Sequence, residues 1–322
     1  MTVALDVDHV REAAASLASA VARTPVLTAA QLDAWAGLPV HAKAEGLQRT
    51  GSFKVRGALN RIRTLGDAER DRGLVTVSAG NAALGAAFAA RSLGARLTVV
   101  MPEDAVAEKR AAVLELGATL VTDGVVDAAA AFVRARQLQA DHALTFVHPY
   151  DDPMVVAGAA TATLELLEDS PPLARVYIPC SGGGLLAGAV LARRAFGSRV
   201  ELVGVQPTGS DGMVRSLAAG RPVRSPSIST VADGLTAPAP GAVPFGLIAA
   251  AGDLRVRTVP DDAILEAMVT ATRLLRVVVE PAGAAALAGA RADVAEGRTV
   301  DGPVGVVLSG SNVSWHLLSR LL

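Results

Sequence analysis

The stretch LVTVSAGNAALGAAFAARSLGARLTVVMP, residues 74–102, decides the fold. Two apolar β-type runs, Leu74–Val77 and Leu97–Met101, are separated by an alanine-rich segment that predicts a helix over 82–93. The alternation continues to residue 150, with elements predicted at 104–116, 119–122, 125–140 and 144–147. Strands that alternate with helices of 10–15 residues are typical of a parallel sheet built from βαβ units.

The flanking residues predict a second, larger unit of the same class. Its predicted strands are 38–45, 175–179, 201–205 and 304–308, and its predicted helices are 7–21, 53–65, 153–168, 185–196, 261–276, 281–290 and 312–321. Residues 206–245 are rich in Gly, Pro and Ser and predict long loops with one short helix near 211–219. We therefore expect an α/β protein of two domains with mostly parallel sheets flanked by helices. Residues 1–65 plus 151–322 would form the large domain, and residues 66–150 the small one.

Composition excludes several classes of function. The 322-residue chain has a net charge of −1 with scattered charges, which argues against nucleic-acid binding. No apolar run approaches the ~20 residues that span a bilayer, and the early acidic residues argue against a secretory signal. The single cysteine, Cys180, excludes an internal disulfide and indicates a reducing cytoplasm. Because no His/Cys cluster has zinc spacing, we predict no metal site.

Lysine is rare in this chain, which makes each lysine informative. Of 30 basic residues only Lys43, Lys54 and Lys109 are lysines. Lys54 lies in the first turn of a predicted helix, where the macrodipole lowers the pKa of an amine. A deprotonated lysine is a nucleophile, although a surface lysine at a helix start fits the local pattern equally well. We expect Lys43 to end a strand and Lys109 to lie solvated on a charged helix face.

Three glycine-containing loops follow predicted strands. They are Ser78–Asn81, Ser181–Gly184 and Ser309–Asn312, and in open α/β sheets such loops carry the ligand. Ser181–Gly184 has three consecutive glycines before a helix, so its backbone N–H groups and the helix dipole favour a phosphate. A tight turn with no ligand is the alternative.

The same loop also satisfies a dinucleotide-binding pattern. Gly182, Gly184 and Ala187 match G-x-G-x-x-A between a strand and a helix. That function requires an acidic residue at the end of the next strand. Glu201 opens that strand and Gln206 lies past its end, which makes a nicotinamide oxidoreductase the weaker alternative.

Taken in order, the motifs resemble those of the serine/threonine dehydratase and serine racemase family, which are pyridoxal 5′-phosphate (PLP) enzymes of fold type II, similar to the tryptophan synthase β-subunit. The resemblance covers the chain from about residue 20 to its end, and its most specific block surrounds Lys54. The matching segments are Lys43-Ala-Glu45, Gly51-Ser-Phe-Lys-Val-Arg-Gly-Ala58, Ser78-Ala-Gly-Asn81, His148-Pro-Tyr-Asp-Asp-Pro153, Ser181-Gly-Gly-Gly-Leu185, Ala232-Asp-Gly234, Glu280-Pro-Ala-Gly-Ala284 and Ser309-Gly-Ser-Asn312.

The resemblance implies a role for each matching residue toward PLP. Lys54 would hold the cofactor covalently and then act as the base at the substrate Cα. Phe53 would pack against the cofactor ring, and Asn81 would hydrogen-bond its 3′ oxygen. Ser309 would face the pyridine nitrogen, and its neutral hydroxyl suits β-elimination. The phosphate would be held by Gly182, Gly183, Gly184 and the Leu185 N–H, assisted by Ser181.

Two further sets of residues follow from the resemblance. The substrate carboxylate would bind the turn made of Ser78, Ala79, Gly80, Asn81 and Ala82. Glu280 would lie near the cofactor, or it is only an acid beside a helix N-terminus.

The implied reaction is removal of water from a β-hydroxy-amino acid such as threonine or serine, releasing a 2-oxo acid and ammonia. Racemases of the family have a serine where this chain has Ala79, which favours a dehydratase over a racemase. A β-replacement enzyme acting on a related amino acid is a further alternative. Gln206 and Gly212 stand where cation-binding members have acids, in agreement with no metal. The resemblance also implies a homodimer that acts on a small amino acid.

The chain departs from the family pattern beside the expected substrate. Asn81 is followed by Ala82, Ala83 and Leu84 instead of His-Ala-Gln, and Gly158-Ala-Ala-Thr161 replaces Gly-Gln-Gly-Thr. Polar groups are thus replaced by small or apolar ones. The substrate could therefore be bulkier or less polar than serine, and a catalytically inactive binding protein is a further alternative.

Overall fold

The computed structural model describes residues 5–321, which form helices around two separate sheets. The strands are β1 (Val26–Leu27), β2 (Val40–Ala44), β3 (Leu74–Val77), β4 (Leu97–Val100), β5 (Thr119–Val121), β6 (Thr145–Phe146), β7 (Arg175–Pro179), β8 (Glu201–Pro207), β9 (Arg255–Val259) and β10 (Val304–Leu308). The helices are α1 (Val7–Leu17), α2 (Ala30–Ala36), α3 (Lys54–Arg63), α4 (Asp67–Arg72), α5 (Asn81–Ser92), α6 (Ala107–Glu115), α7 (Ala128–His142), α8 (Pro153–Glu168), α9 (Gly184–Phe196), α10 (Gly212–Ala219), α11 (Ala242–Ala249), α12 (Asp261–Leu275), α13 (Pro281–Ala295) and α14 (Trp315–Leu321). Within residues 5–321 no helix combines the length and the apolar character needed to cross a membrane.

The smaller sheet has four parallel strands in the order β5-β4-β3-β6. Its central strand β3 is buried at every position, because helices cover both of its faces. Apolar residues of α5 and α3 pack on one face, and those of α7 pack on the other.

The larger sheet has six strands in the order β1-β2-β10-β7-β8-β9, and only β1 runs antiparallel to its neighbour. Helices α12 and α13 bury alanine-rich faces on one side of this sheet, and α8 and α9 cover the other. The parallel register of β10 with both β2 and β7 brings the carboxyl ends of these strands to one edge.

The predicted fold class is confirmed, with corrections to individual elements. Strand β9 and helices α4 and α11 were not predicted, α13 extends beyond residue 290, and α1 ends at Leu17 rather than residue 21. Strand β9 was missed because Arg255 and Arg257 give it a charged alternation, whereas in the fold both arginines pair with the buried Asp293. Helix α11 contains Pro244 and Gly246, which locally disfavour a helix. The proposed division into domains 1–65 plus 151–322 and 66–150 stays a prediction, and the strands of the smaller sheet all lie within 66–150.

Candidate active site

The edge where strands β10, β7 and β2 end holds the residues singled out from the sequence. Strands β7 and β10 are parallel neighbours, so the loops Ser181–Gly184 and Ser309–Asn312 emerge side by side. The backbone N–H of Phe53 donates to the carbonyl of Ser309 over 3.1 Å. That bond places the start of α3, and with it Lys54, at the same edge.

Lys54 lies in the cleft between the two sheets. Its Nζ donates to the carbonyl of Pro149 over 3.1 Å, and it lies 5.2 Å from the centroid of the Phe53 ring. Helix α5 packs closely, since a Cβ at Gly85 would come within 2.9 Å of the Lys54 carbonyl carbon. Burial lowers the pKa of the Lys54 amine to about 8, with the Glu280 carboxylate opposing the shift. About a tenth of this amine is therefore deprotonated at pH 7, far more than for an ordinary lysine.

The triple-glycine loop is shaped so that only glycine fits it. Gly183 has φ +95° and precedes α9, and a Cβ there would lie 2.7 Å from Met213 Cε and 2.9 Å from Pro244 Cβ. A Cβ at Gly182 would lie 2.5 Å from the Tyr150 ring. The first N–H groups of α9 have no partners within the helix, so the loop offers donors to an anion.

Two residues beside the glycines complete this part of the site. The Ser181 hydroxyl accepts a hydrogen bond from the Ala237 N–H over 2.9 Å, which holds the loop against residues 236–241. Leu185 is buried on α9, in the same apolar cluster against which Phe53 packs.

Asn81 and Glu280 meet on the opposite side of the cleft. The Asn81 Nδ2 donates to the Glu280 carboxylate over 2.7 Å, and the Asn312 Nδ2 donates to Asn81 Oδ1 over 2.7 Å. Gly310 permits this approach, because a Cβ there would lie 2.2 Å from Glu280 Oε1. The pKa of Glu280 is raised to about 7, chiefly by burial and also by the nearby Asp233, while the Asn81 hydrogen bond opposes the rise.

The predicted substrate turn connects β3 to α5. The Ser78 hydroxyl accepts from the Gly80 N–H over 3.0 Å, so Ser78 shapes the turn, while Ala79 contributes only a methyl group. Helix α5 begins at Asn81, and Ala82 lies partly exposed in its first turn. Because α5 packs against Lys54, its unpaired N–H groups lie at the cleft, where they suit a carboxylate.

Comparison with known proteins identifies the family. Residues 17–310 match the model of the family described as pyridoxal-phosphate dependent enzyme. This chain belongs to that family. It is 36% identical to the L-threonine ammonia-lyase of Thermotoga maritima over 99% of this chain and 78% of the relative. It is 40% identical to an L-threo-3-hydroxyaspartate ammonia-lyase of Pseudomonas sp over 93% of each chain.

The solved structures agree with this assignment. The structure of maize serine racemase superimposes with a TM-score of 0.92 at 34% identity, covering 98% of this chain and 96% of that one. The chain is therefore a fold type II enzyme whose cofactor is PLP.

The residues of the cleft fit PLP. The cofactor consists of an aldehyde on a pyridine ring and a phosphate. The Lys54 amine, with its lowered pKa, suits the aldehyde. The loop Gly182–Gly184, which packs too closely against Tyr150, Met213 and Pro244 to carry side chains, presents the first backbone N–H groups of α9, and these suit the phosphate. Lys54, this loop and the Asn81–Glu280 pair would therefore hold the group.

Sequence reasoning missed two residues of this candidate site. Tyr150 lies against Gly182 and Gly184, and its hydroxyl donates to the Ala239 carbonyl over 3.4 Å. Asn312 fixes the Asn81 amide from the far side. Both belong to motifs that the resemblance quotes, but neither has a local signal for its contact, because each partner lies far away in sequence.

The expectations for the other two lysines are partly corrected. Lys109 is not a freely solvated residue, because its Nζ pairs with the carboxylate of Asp233. Lys43 is fully buried, donates to the Thr24 carbonyl over 2.6 Å and pairs with Glu165 over 2.7 Å. Cys180 is buried, and burial raises the pKa of its thiol to about 12.

Proposed function

We propose that the protein is an ammonia-lyase that removes water from a β-hydroxy-amino acid and releases a 2-oxo acid and ammonia. The observation that carries the proposal is the Lys54 amine, held by the carbonyl of Pro149, next to Tyr150, whose ring packs on the triple-glycine loop. The ammonia-lyase relatives, aligned over more than nine-tenths of the chain, support this reaction type.

Each residue around the cleft has a separate role in the proposed reaction. PLP, when bound, supplies an electron sink for the charge that develops at the substrate Cα. Lys54 is assigned the removal of the Cα proton, for which a lowered pKa is suited. The N–H groups around Gly182–Gly184 are assigned the phosphate. Asn81 and the Ser78–Ala82 turn orient the substrate from the other side, and Ser309 is assigned the pyridine nitrogen.

The overall change balances without an oxidant. The substrate loses its Cα proton and its β-hydroxyl as water, and the released enamine takes up a second water as it yields the 2-oxo acid and ammonia. Racemisation would need a second acid or base on the opposite face of Cα. Ala79, at the position where the racemases of the family have a serine, has no proton to give. Elimination is therefore the favoured outcome.

Substitution of Lys54 tests the proposal. Lys54→Ala and Lys54→Arg are expected to lose activity on the order of 10³-fold or more, because neither supplies a nucleophilic amine. Borohydride treatment of the wild-type holoenzyme should leave the PLP label on the peptide that contains Lys54. A colourless protein that takes up no PLP, or a label at another lysine, would refute the proposal.

The altered turn after Asn81 bears on the substrate. Ala82 and Leu84 offer no imidazole or amide to the cleft, which suits a bulkier or less polar β-substituent than that of serine. The discriminating panel is L-serine, L-threonine, L-threo-3-hydroxyaspartate and L-threo-3-phenylserine, compared by kcat/KM for 2-oxo acid formation. A clear preference for serine and threonine would exclude the bulkier substrate.

We further propose that the enzyme is a cytoplasmic homodimer. The buried Cys180 thiol, kept reduced, is compatible with that compartment. Light scattering of the purified holoenzyme tests the oligomeric state, and a monomeric mass at micromolar concentration would contradict the dimer.

A further inference from the structure

Lys109 connects the two sheets across the mouth of the cleft. It lies on α6, beside the smaller sheet, and its Nζ pairs with Asp233 in the 3₁₀ turn Asp233–Leu235. That turn packs against α13 of the larger sheet through Gly234, whose Cβ would lie 2.8 Å from Ala282 Cβ. A contact between residues 124 positions apart thus ties α6 to the opposite wall.

The Asp233 turn also borders the site. A Cβ at Gly234 would lie 4.0 Å from Glu280 Oε1, so the turn lies next to the carboxylate that holds Asn81. Two links therefore cross the cleft close together. One is the Lys109–Asp233 ion pair at the rim, and the other is the hydrogen bond between Asn81 and Glu280 inside it.

The pair lies at the surface, since the Lys109 side chain is 22% exposed and that of Asp233 is 58% exposed. A pair of this kind is screened by salt and contributes modestly by itself. Its position makes it important, because it joins elements that pack on two separate sheets, whereas many surface pairs join two turns of one helix.

We propose that the Lys109–Asp233 ion pair is a latch that holds α6 against the larger sheet and keeps Asn81 and Glu280 in register for the reaction. The proposal rests on the proposed ammonia-lyase function for its kinetic consequence, but not for its structural one. Lys109 is thus a positioning residue that acts through the walls of the cleft, without touching the reacting atoms.

The test compares the single variants Lys109→Met and Asp233→Asn with the charge-swapped double variant K109D/D233K. Hydrogen–deuterium exchange of the peptide covering residues 107–115 is measured on the holoenzyme without substrate, and kcat/KM is measured in parallel. Each single variant should raise exchange several-fold and lower kcat/KM about three- to fivefold, while the swap restores both. Wild-type enzyme in 1 M salt should move in the same direction as the single variants.

Glu108→Gln is the matched control, because Glu108 is the exposed neighbour of Lys109 on the same helix. It should leave both measurements at wild-type values. Unchanged exchange in the single variants, or failure of the swap to restore it, would overturn the latch. A loss of kcat/KM with unchanged exchange would assign Lys109 to the substrate and would also overturn it. If the protein proved to have a different activity, the exchange measurement would still decide the latch.

Discussion

Asn81 and Glu280 are joined by a hydrogen bond of 2.7 Å although 199 residues separate them. Asn81 begins α5 on the smaller sheet, and Glu280 precedes α13 on the larger one. The bond therefore fixes the relative position of two helix N-termini, that of α5 and that of α13. It also places a carboxyl group where the protein excludes water.

The burial of Glu280 predicts a pH dependence of stability. Its pKa rises from 4.5 to about 7 on folding, so the folded state binds the proton more tightly than the unfolded chain. The protonated Glu280 carboxyl contributes its full stabilisation of the folded state below about pH 4.5. This contribution is lost as the pH rises through the folded-state pKa of about 7. Glu280→Gln removes this titration while keeping an acceptor for Asn81. Between pH 5 and pH 8 the free energy of unfolding of the wild-type apoprotein should fall by about 2 kcal/mol more than that of the Glu280→Gln apoprotein.

Urea unfolding of both apoproteins at pH 5, 6, 7 and 8 measures this difference. The exposed Glu115→Gln serves as the control, and its stability should follow that of the wild type at every pH. Parallel curves for wild type and Glu280→Gln would mean that Glu280 is ionised in both states.

The amine of Lys54 is predicted to react at lower pH than an ordinary lysine. Because burial lowers its pKa to about 8, the nucleophilic form becomes dominant above that pH. Apoprotein treated with trinitrobenzenesulfonate between pH 6.5 and 10.5, then digested and mapped, should show half-maximal labelling of Lys54 near pH 8. A model peptide lysine should reach that point near pH 10.4.

The Glu280→Gln variant checks in which direction Glu280 shifts the pKa of Lys54. The Glu280 carboxylate favours the charged form of Lys54, so Glu280→Gln should move the labelling midpoint of Lys54 below that of the wild type. A midpoint above pH 9.5 in the wild type, or an upward movement in the variant, would contradict the electrostatic description of the cleft.

These contacts show which parts of the site a sequence can predict. The strand–helix alternation and the glycine loop are local patterns. The fold class and the predicted phosphate-binding loop can therefore be inferred from residues that are close together in the chain. The Tyr150 ring over Gly182 and the Lys109–Asp233 pair depend on how distant elements pack. The charged helix face around Lys109 predicts a solvated side chain. Only the tertiary fold shows that the carboxylate of Asp233 lies opposite the Lys109 amine.

The geometry at Gly183 predicts a selective loss of cofactor. Gly183→Ala would strain a residue at φ +95° and drive a Cβ to within 2.7 Å of Met213, into the wall that supports the phosphate loop. We expect a stability loss of about 1–2 kcal/mol and at least tenfold weaker PLP binding. The bound PLP is measured by its visible absorbance after gel filtration and by titration of the apoprotein.

Gly197→Ala separates strain from cofactor binding. Gly197 ends the same helix α9 at φ +71°, and a Cβ there would meet no atom within 4 Å. The variant should lose about 1 kcal/mol of stability while keeping wild-type affinity for PLP. Equal loss of PLP in both variants would show that the glycine loop acts only through stability.

The buried charges behind Lys54 provide the last prediction. Arg56 lies two residues after Lys54, fully buried, and its guanidinium bonds Glu45 over 2.7 and 2.8 Å and Glu165 over 2.7 and 2.9 Å. Burial opposes the ionised Glu45, but Arg56 more than offsets it and holds its pKa below the ordinary value. Arg56→Met would leave two carboxylates with only the Lys43 charge between them, which costs about 3–5 kcal/mol. The double variant R56M/E45Q should lose less stability than R56M alone, because it removes one of the two buried carboxylates that have lost their guanidinium partner. Urea unfolding of the R56M, E45Q and R56M/E45Q holoenzymes at pH 7.5 measures these losses, and additive losses would mean that Arg56 and Glu45 stabilise the fold independently.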